Sequence, residues 1–137
     1  RAELDARIEA LGLTGRVFFR SHTSDMPAAL LLASVVVSAS TDPEAFGRVV
    51  IEGQAMGRPV VATDHGGAAE TVVANDTGLL VAPGDAAAMA DAIDTMLGLD
   101  AADAHALGER ARAHVLAEGY TTAAMCAATL DVYRELL

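Results

Sequence analysis

The amino-acid sequence predicts an α/β fold, a doubly wound parallel sheet with helices on both faces. Three observations lead there. Short β-branched runs alternate along the chain with segments of helical periodicity. Those runs are apolar throughout rather than every second residue, as strands covered on both faces must be. Hydrophobic residues fill 53% of the 137 positions with few aromatics among them, a composition of Ala, Val and Leu that suits helices layered on a buried sheet.

Leu4, Ile8 and Leu11 recur at helical spacing, and Gly12 and Gly15 close that helix before a strand over "RVFF", residues 16–19. Ser24 or Asp25 caps a second helix that carries Pro27 in its first turn. "VVVS", residues 35–38, is a buried strand. A polar loop, 39–44, leads into a helix over about 45–56 that Gly57 and Pro59 stop, and "VVAT", 60–63, resumes the sheet. "DHGG", 64–67, turns into a short helical stretch, "AAETVVA", and "GLLVA", 78–82, makes a fourth strand. Asp85 caps a helix with Met89, Ile93 and Leu97 on one face, and helical segments over about 101–118 and 122–137 follow.

Four alternations of strand and helix with right-handed crossovers read as the C-terminal part of a Rossmann-like domain. Such sheets commonly hold about five or six strands, so one or two are expected upstream. The opening "RAELDARIEAL" reads as the middle of a helix in a longer polypeptide, without the pattern of a signal peptide. Cys126, the single cysteine, falls in a helical pattern and is expected as a small buried thiol.

Charge and spacing exclude several functions. The net charge is −10 and the nine basic residues, all Arg, do not cluster, which argues against a nucleic-acid partner. The longest apolar run falls well short of the roughly 20 residues of a membrane span, so a soluble, cytoplasmic domain is expected. No Asp-x-Asp and no His or Cys cluster stands at ligand spacing, so no metal or other cofactor is expected. No G-x-G-x-x-G follows a strand, which argues against a dinucleotide. His22, His65, His105 and His114 are scattered, and only His65 falls in a candidate ligand loop.

Ligands of such sheets bind at the carboxyl ends of strands, here the loops 20–24, 39–46 and 64–69. The stretch "STDPEAFGRVVIEGQAMGRPVVAT" sets Glu44 and Glu52 within an apolar run, where a carboxylate needs a partner or a ligand. The bland readings are an Arg48–Glu52 pair at i,i+4, worth about 0.3–0.5 kcal/mol, and Glu44 as a cap on the helix dipole. On a helix from about residue 46, Phe46, Val49, Val50 and Gly53 share one face. The functional reading is a helix start whose free amides hold an anion, with Gly47 allowing close approach. Glu52 would lie roughly 9 Å along that axis. Two carboxylates flanking a phosphate site suit a nucleotide sugar, with ribose at one end and hexose at the other.

"EAFGRVVIE" fits the E-x7-E pattern of retaining GT-B glycosyltransferases, family four. "GRVFF", "DMPAALLLASVVVSAS", "GQAMGRPVVATDHGGAAETV", "TGLLVAPGDAAAMADAI" and "LDVYRELL" follow the order of that family's C-terminal nucleotide-binding domain. The resemblance covers nearly the whole chain. It implies transfer of a glycosyl group from a nucleotide-diphosphate sugar with retention of configuration and without metal. Glu44 would face the donor sugar as the catalytic residue, and the Phe46 and Gly47 backbone would contact sugar and diphosphate. Arg48 and Val49 would sit beside the diphosphate, Glu52 would accept from the ribose, and the loop at Arg20, Ser21 and His22 would hold the base. His65, Gly66, Gly67 and Glu70 match the family's cleft loop; a plain strand-to-helix turn with a capping acid is the other reading.

Two departures stand out: Arg20 replaces a common Gly, and Gly53 replaces the usual Ala at a helix cost of up to about 1 kcal/mol. "DPEAFGRVVIE" and "GQAMGRPV" resemble bacterial enzymes that build lipopolysaccharide or surface polysaccharide on a glycan or lipid-linked acceptor. In the family, an Arg and a Lys from the start of this domain and acceptor groups from an N-terminal domain lie outside these residues. The chain alone is therefore expected to be inactive, with membrane contact only through the absent part. The alternatives are a GT-B-related sugar-nucleotide epimerase and a non-catalytic Rossmann-like interaction module.

Overall fold

A computed structural model describes residues 1–136. Its elements are α1 (Ala2–Ala10), α2 (Met26–Leu31), β1 (Val36–Ser38), α3 (Arg48–Ala55), β2 (Val60–Thr63), α4 (Gly66–Thr71), β3 (Leu79–Val81), α5 (Ala86–Leu97), α6 (Ala101–Ala117) and α7 (Thr122–Glu135). The three strands pair in parallel in the order β1-β2-β3, with Val37 opposite Val61 and Ala62 opposite Leu80. The fold is the expected Rossmann-like α/β layer. Asp25 and Asp85 cap their helices as expected, accepting from the amides of Ala28 and Ala88, and Asp100 and Thr121 do the same for α6 and α7 from the amides of Asp103 and Ala124.

Successive β2 residues face opposite sides, so the sheet separates two cores. Val60 and Ala62 join Leu30, Val36, Val50, Ala68 and Val72 beneath α2, α3 and α4. Val61 joins Val81, Ala92, Met96 and Leu107 beneath α5 and α6. All four β2 residues are buried, which explains the unbroken apolar run.

Four expectations need correction. Residues 16–19 form no strand: they pair with none of β1–β3, and Phe18 is 69% exposed. A strand exists only against a neighbouring ladder, and β1 pairs with β2 alone among the described residues. On α5, Met89 and Ile93 pack against the core as expected beside the buried Ala92 and Met96, but Leu97 in the last turn is 55% exposed. Cys126 is exposed, because α7 buries none of its residues. Strand β1 is buried only at Val36, with Val37 38% exposed. At Gly53 a Cβ would meet Val60 Cγ2 at 3.1 Å and Val36 Cβ at 3.2 Å, so an alanine there requires those side chains to yield by a few tenths of an ångström, set against the helix cost of glycine.

Gln54 is fully buried on α3 and its Nε2 donates to Thr77 Oγ1 at 3.1 Å, while that hydroxyl also accepts from the Val73 amide at 2.9 Å. Thr77→Val keeps the shape, orphans the Val73 amide and leaves Gln54 Nε2 only its longer bond to the Thr77 carbonyl, at 3.4 Å. It is expected to destabilise the fold by about 1–3 kcal/mol, measured by denaturant unfolding of the full-length protein. An unchanged midpoint would show that the two donors find other acceptors.

Candidate functional site

Gly47 sits in the left-handed region (φ 68°, ψ 48°), so the helix cannot run through it and α3 begins at Arg48. This shortens the helix expected from about residue 45. Phe46 lies outside it, Val49 is 46% exposed, and the buried face is Val50, Ile51, Gly53 and Gln54. Glu52 stands four residues from the start, about 6 Å along the axis rather than 9. The amides of Val50 and Ile51 both turn back to the Gly47 carbonyl, at 3.0 and 3.4 Å. The Arg48 and Val49 amides have no acceptor among the described residues and point from the positive end of α3. This start follows the carboxyl end of β1, where the topology places ligands.

A second set of contacts fixes the loop that carries Glu44. Ser40 Oγ donates to Glu44 Oε1 at 2.6 Å, and the Ser40 carbonyl accepts from Thr63 Oγ1 at 2.9 Å and from His65 Nε2 at 2.9 Å. The Glu44 carbonyl accepts from the Gly67 amide at 2.8 Å. Glu44 therefore precedes the helix by four positions, bonded to Ser40, and does not cap it: the cap is Gly47, without a side-chain bond. With a carbonyl as partner, His65 Nε2 is the donor, and its Nδ1 is buried without a hydrogen-bond partner among the described residues.

The double glycine serves this contact. Gly66 has φ 54°, and a Cβ on it would stand 2.5 Å from the Glu44 carbonyl oxygen. A Cβ on Gly67 would overlap the Phe46 carbonyl carbon and stand 2.5 Å from its Cα. Backbone lies on backbone here, which only residues lacking Cβ permit. The capping-acid reading of this element fails, because Glu70 lies late in the six-residue α4, exposed and without an ion pair among the described residues.

Glu52 accepts from Arg48 at 3.3 Å, the i,i+4 pair expected, with the side chains 37% and 82% exposed. So open a pair contributes little stability and leaves both groups available to a ligand. Beside it, a cavity of about 670 Å³ opens between the α3 start and the α6–α7 turn, lined by Phe46, Arg48, Glu52, Tyr120, Thr121 and Met125 among others. Tyr120 packs edge-on against Phe46, ring centroids 5.8 Å apart.

The structure thus brings Glu44, Phe46, Gly47, Arg48, Val49, Glu52, His65, Gly66 and Gly67 into one region. It does not add Arg20 and Ser21, which lie in an exposed irregular segment and do not line the cavity. Ser40, Thr63 and Tyr120 escape sequence reasoning. Thr63 could be found as the last residue of a buried strand at its ligand-facing end, whereas nothing local marks Ser40 or Tyr120. Among the described residues, no three His, Cys, Asp or Glu converge as metal ligands, and no helix is long and apolar enough to cross a membrane.

A family model described as glycosyl transferases group 1 matches residues 1–114. A D-inositol 3-phosphate glycosyltransferase of Nocardia farcinica is 36% identical over 97% of this chain and 30% of its own length. A glycosyltransferase of Rickettsia africae superposes with a TM-score of 0.91 at 36% identity, covering 98% of this chain and 35% of that one. HepE of Anabaena, solved with UDP-glucose, superposes with a TM-score of 0.79 at 35% identity over 84% of this chain and 32% of its own. The chain thus spans about a third of the length of each. With the family's sequence pattern running through 114 residues and the donor-end loops built as described, the chain belongs to the group 1 glycosyl transferases, in the C-terminal domain of a GT-B fold.

Proposed function

We propose that this chain supplies the donor-binding part of an enzyme that moves a glycosyl group from a nucleotide-diphosphate sugar to an acceptor, with retention of anomeric configuration. The observation that carries the reading is the start of α3: two amides without acceptors, with Glu44 and Glu52 close by in sequence and structure. The diphosphate accepts from the Arg48 and Val49 amides, in the field of the helix dipole. Glu52, which turns toward the cavity, accepts from the ribose hydroxyls. Glu44, oriented by Ser40 and by its own carbonyl bond to Gly67, faces the donor sugar. As the bond to the nucleotide diphosphate breaks, negative charge grows on the leaving oxygen, and the amides and the Arg48 guanidinium stabilise it without a metal ion. Retention and metal independence rest on the resemblance of "EAFGRVVIE" to family four.

The donor class is supported by HepE, solved with UDP-glucose and with UDP. For the acceptor, the motif resemblance favours a glycan or lipid-linked acceptor of bacterial surface polysaccharide. The Nocardia relative's name points instead to inositol 3-phosphate, and that acceptor is the second reading. Acceptor and membrane contacts are assigned to parts of the protein beyond these residues, at the cytoplasmic side of the membrane. The 137 residues alone are expected to show no turnover, and robust transfer by them would refute that division of labour.

Calorimetry of the full-length protein with UDP-, GDP- and ADP-linked sugars tests the reading. Saturable binding of one of them is expected. Glu52→Gln should weaken it by more than about tenfold, the loss of a charged acceptor worth about 1.5–3 kcal/mol. A smaller loss with unchanged stability would remove Glu52 from the ribose and leave only its Arg48 pair.

A further inference from the structure

A second cavity, of about 490 Å³, lies at the other end of the sheet, where the chain enters β1 and β2. Its polar lining is Ser34, Arg58, His105, Glu109 and Arg112; the rest is apolar or small. His105, Glu109 and Arg112 come from one face of α6, and Arg58 from the turn between α3 and β2. Two guanidiniums and one carboxylate leave the cavity positive, in a chain whose net charge is −10. Neither arginine forms an ion pair among the described residues. Arg58 Nε is buried with no acceptor, and its Nη1 reaches the Ala33 carbonyl only at 3.5 Å.

A buried guanidinium donor left unmatched is unfavourable, and arginine cannot relieve it by losing a proton. The half-buried Arg58 and the exposed Arg112 line the same space, and their planar guanidinium donors suit an oxyanion. We propose that this cavity binds a phosphate group. Its volume exceeds what inorganic phosphate fills, and although most of its open lining is polar, Met56, Met96, Leu97 and Leu99 offer an apolar side to a small organic body, so the ligand class is a phosphomonoester. Arg58 and Arg112 hold the phosphate oxygens, His105 lies beside them, and Glu109 selects against a second anionic group. The site shares no residue with the donor cavity, and it stands or falls independently of the donor assignment.

The test is calorimetric titration of the full-length protein with inorganic phosphate, repeated with Arg112→Gln and Arg58→Gln. Saturable binding is expected, weakened about ten- to a hundredfold in each variant by loss of a charged donor. Arg58→Gln also removes the Ala33 bond, so its folding is read from a melting curve. Arg112→Gln has no bond to lose and decides the matter if the other variant does not fold. Phosphate binding of equal strength in wild type and Arg112→Gln, or no saturable binding at all, would leave two solvated arginines and overturn the proposal.

Discussion

Gly67→Ala is expected to lower kcat/KM of the full-length enzyme by about a hundredfold or more and to destabilise it by about 3 kcal/mol. The new Cβ would overlap the Phe46 carbonyl carbon, and its neighbours are peptide atoms, which cannot turn aside as a side-chain end can. Overpacking of this kind costs typically about 1–3 kcal/mol, and a backbone obstacle puts it at the top of that range. To relieve the overlap the 43–47 loop must move off α4, breaking the Gly67-to-Glu44 bond of 2.8 Å and displacing Glu44 and the first amides of α3 together. Donor affinity and turnover should fall in step. Steady-state kinetics and a denaturation curve measured on the same variant check this: normal donor affinity with a normal melting curve would show that the loop does not depend on this contact.

Gly108→Ala is expected to match that loss of stability and to spare donor binding. Gly108 of α6 lies against Gly57, the left-handed residue that closes α3, and its added Cβ would overlap the Gly57 carbonyl oxygen and stand 2.9 Å from its carbon. A cost of about 2–3 kcal/mol follows from backbone overpacking. Neither glycine belongs to the donor cavity, so molecules that remain folded should keep the wild-type dissociation constant for the nucleotide sugar. Chemical denaturation and calorimetry on one preparation separate the two quantities. A weakened donor constant at full folding would mean that the seat of α6 governs the loop after all.

The parts of the fold that can be read from residues are those with local causes. The β2 run is apolar at every position because both faces are covered, and helices α2, α5, α6 and α7 begin where Asp or Thr side chains cap them. The parts that local patterns misread depend on distant partners. "RVFF" has strand composition and no described strand beside it, so composition cannot decide. The start of α3 lies about three residues later than periodicity places it, because periodicity ignores φ and the left-handed Gly47 resets the register. The double glycine is legible as a turn, but its closeness to Glu44 and Phe46 arises between segments some twenty residues apart. Tyr120 approaches Phe46 only through the return of the chain after α6, for which no spacing rule exists.

Helix α3 is held at both tips by peptide against peptide: at its start the 43–47 loop rests on Gly66 and Gly67, and at its end Gly57 rests on Gly108. Such a rod has little freedom left to surrender when a ligand docks at its tip. Association should therefore resemble a key entering a finished lock, with little heat-capacity change beyond the surface covered and no slow phase after encounter.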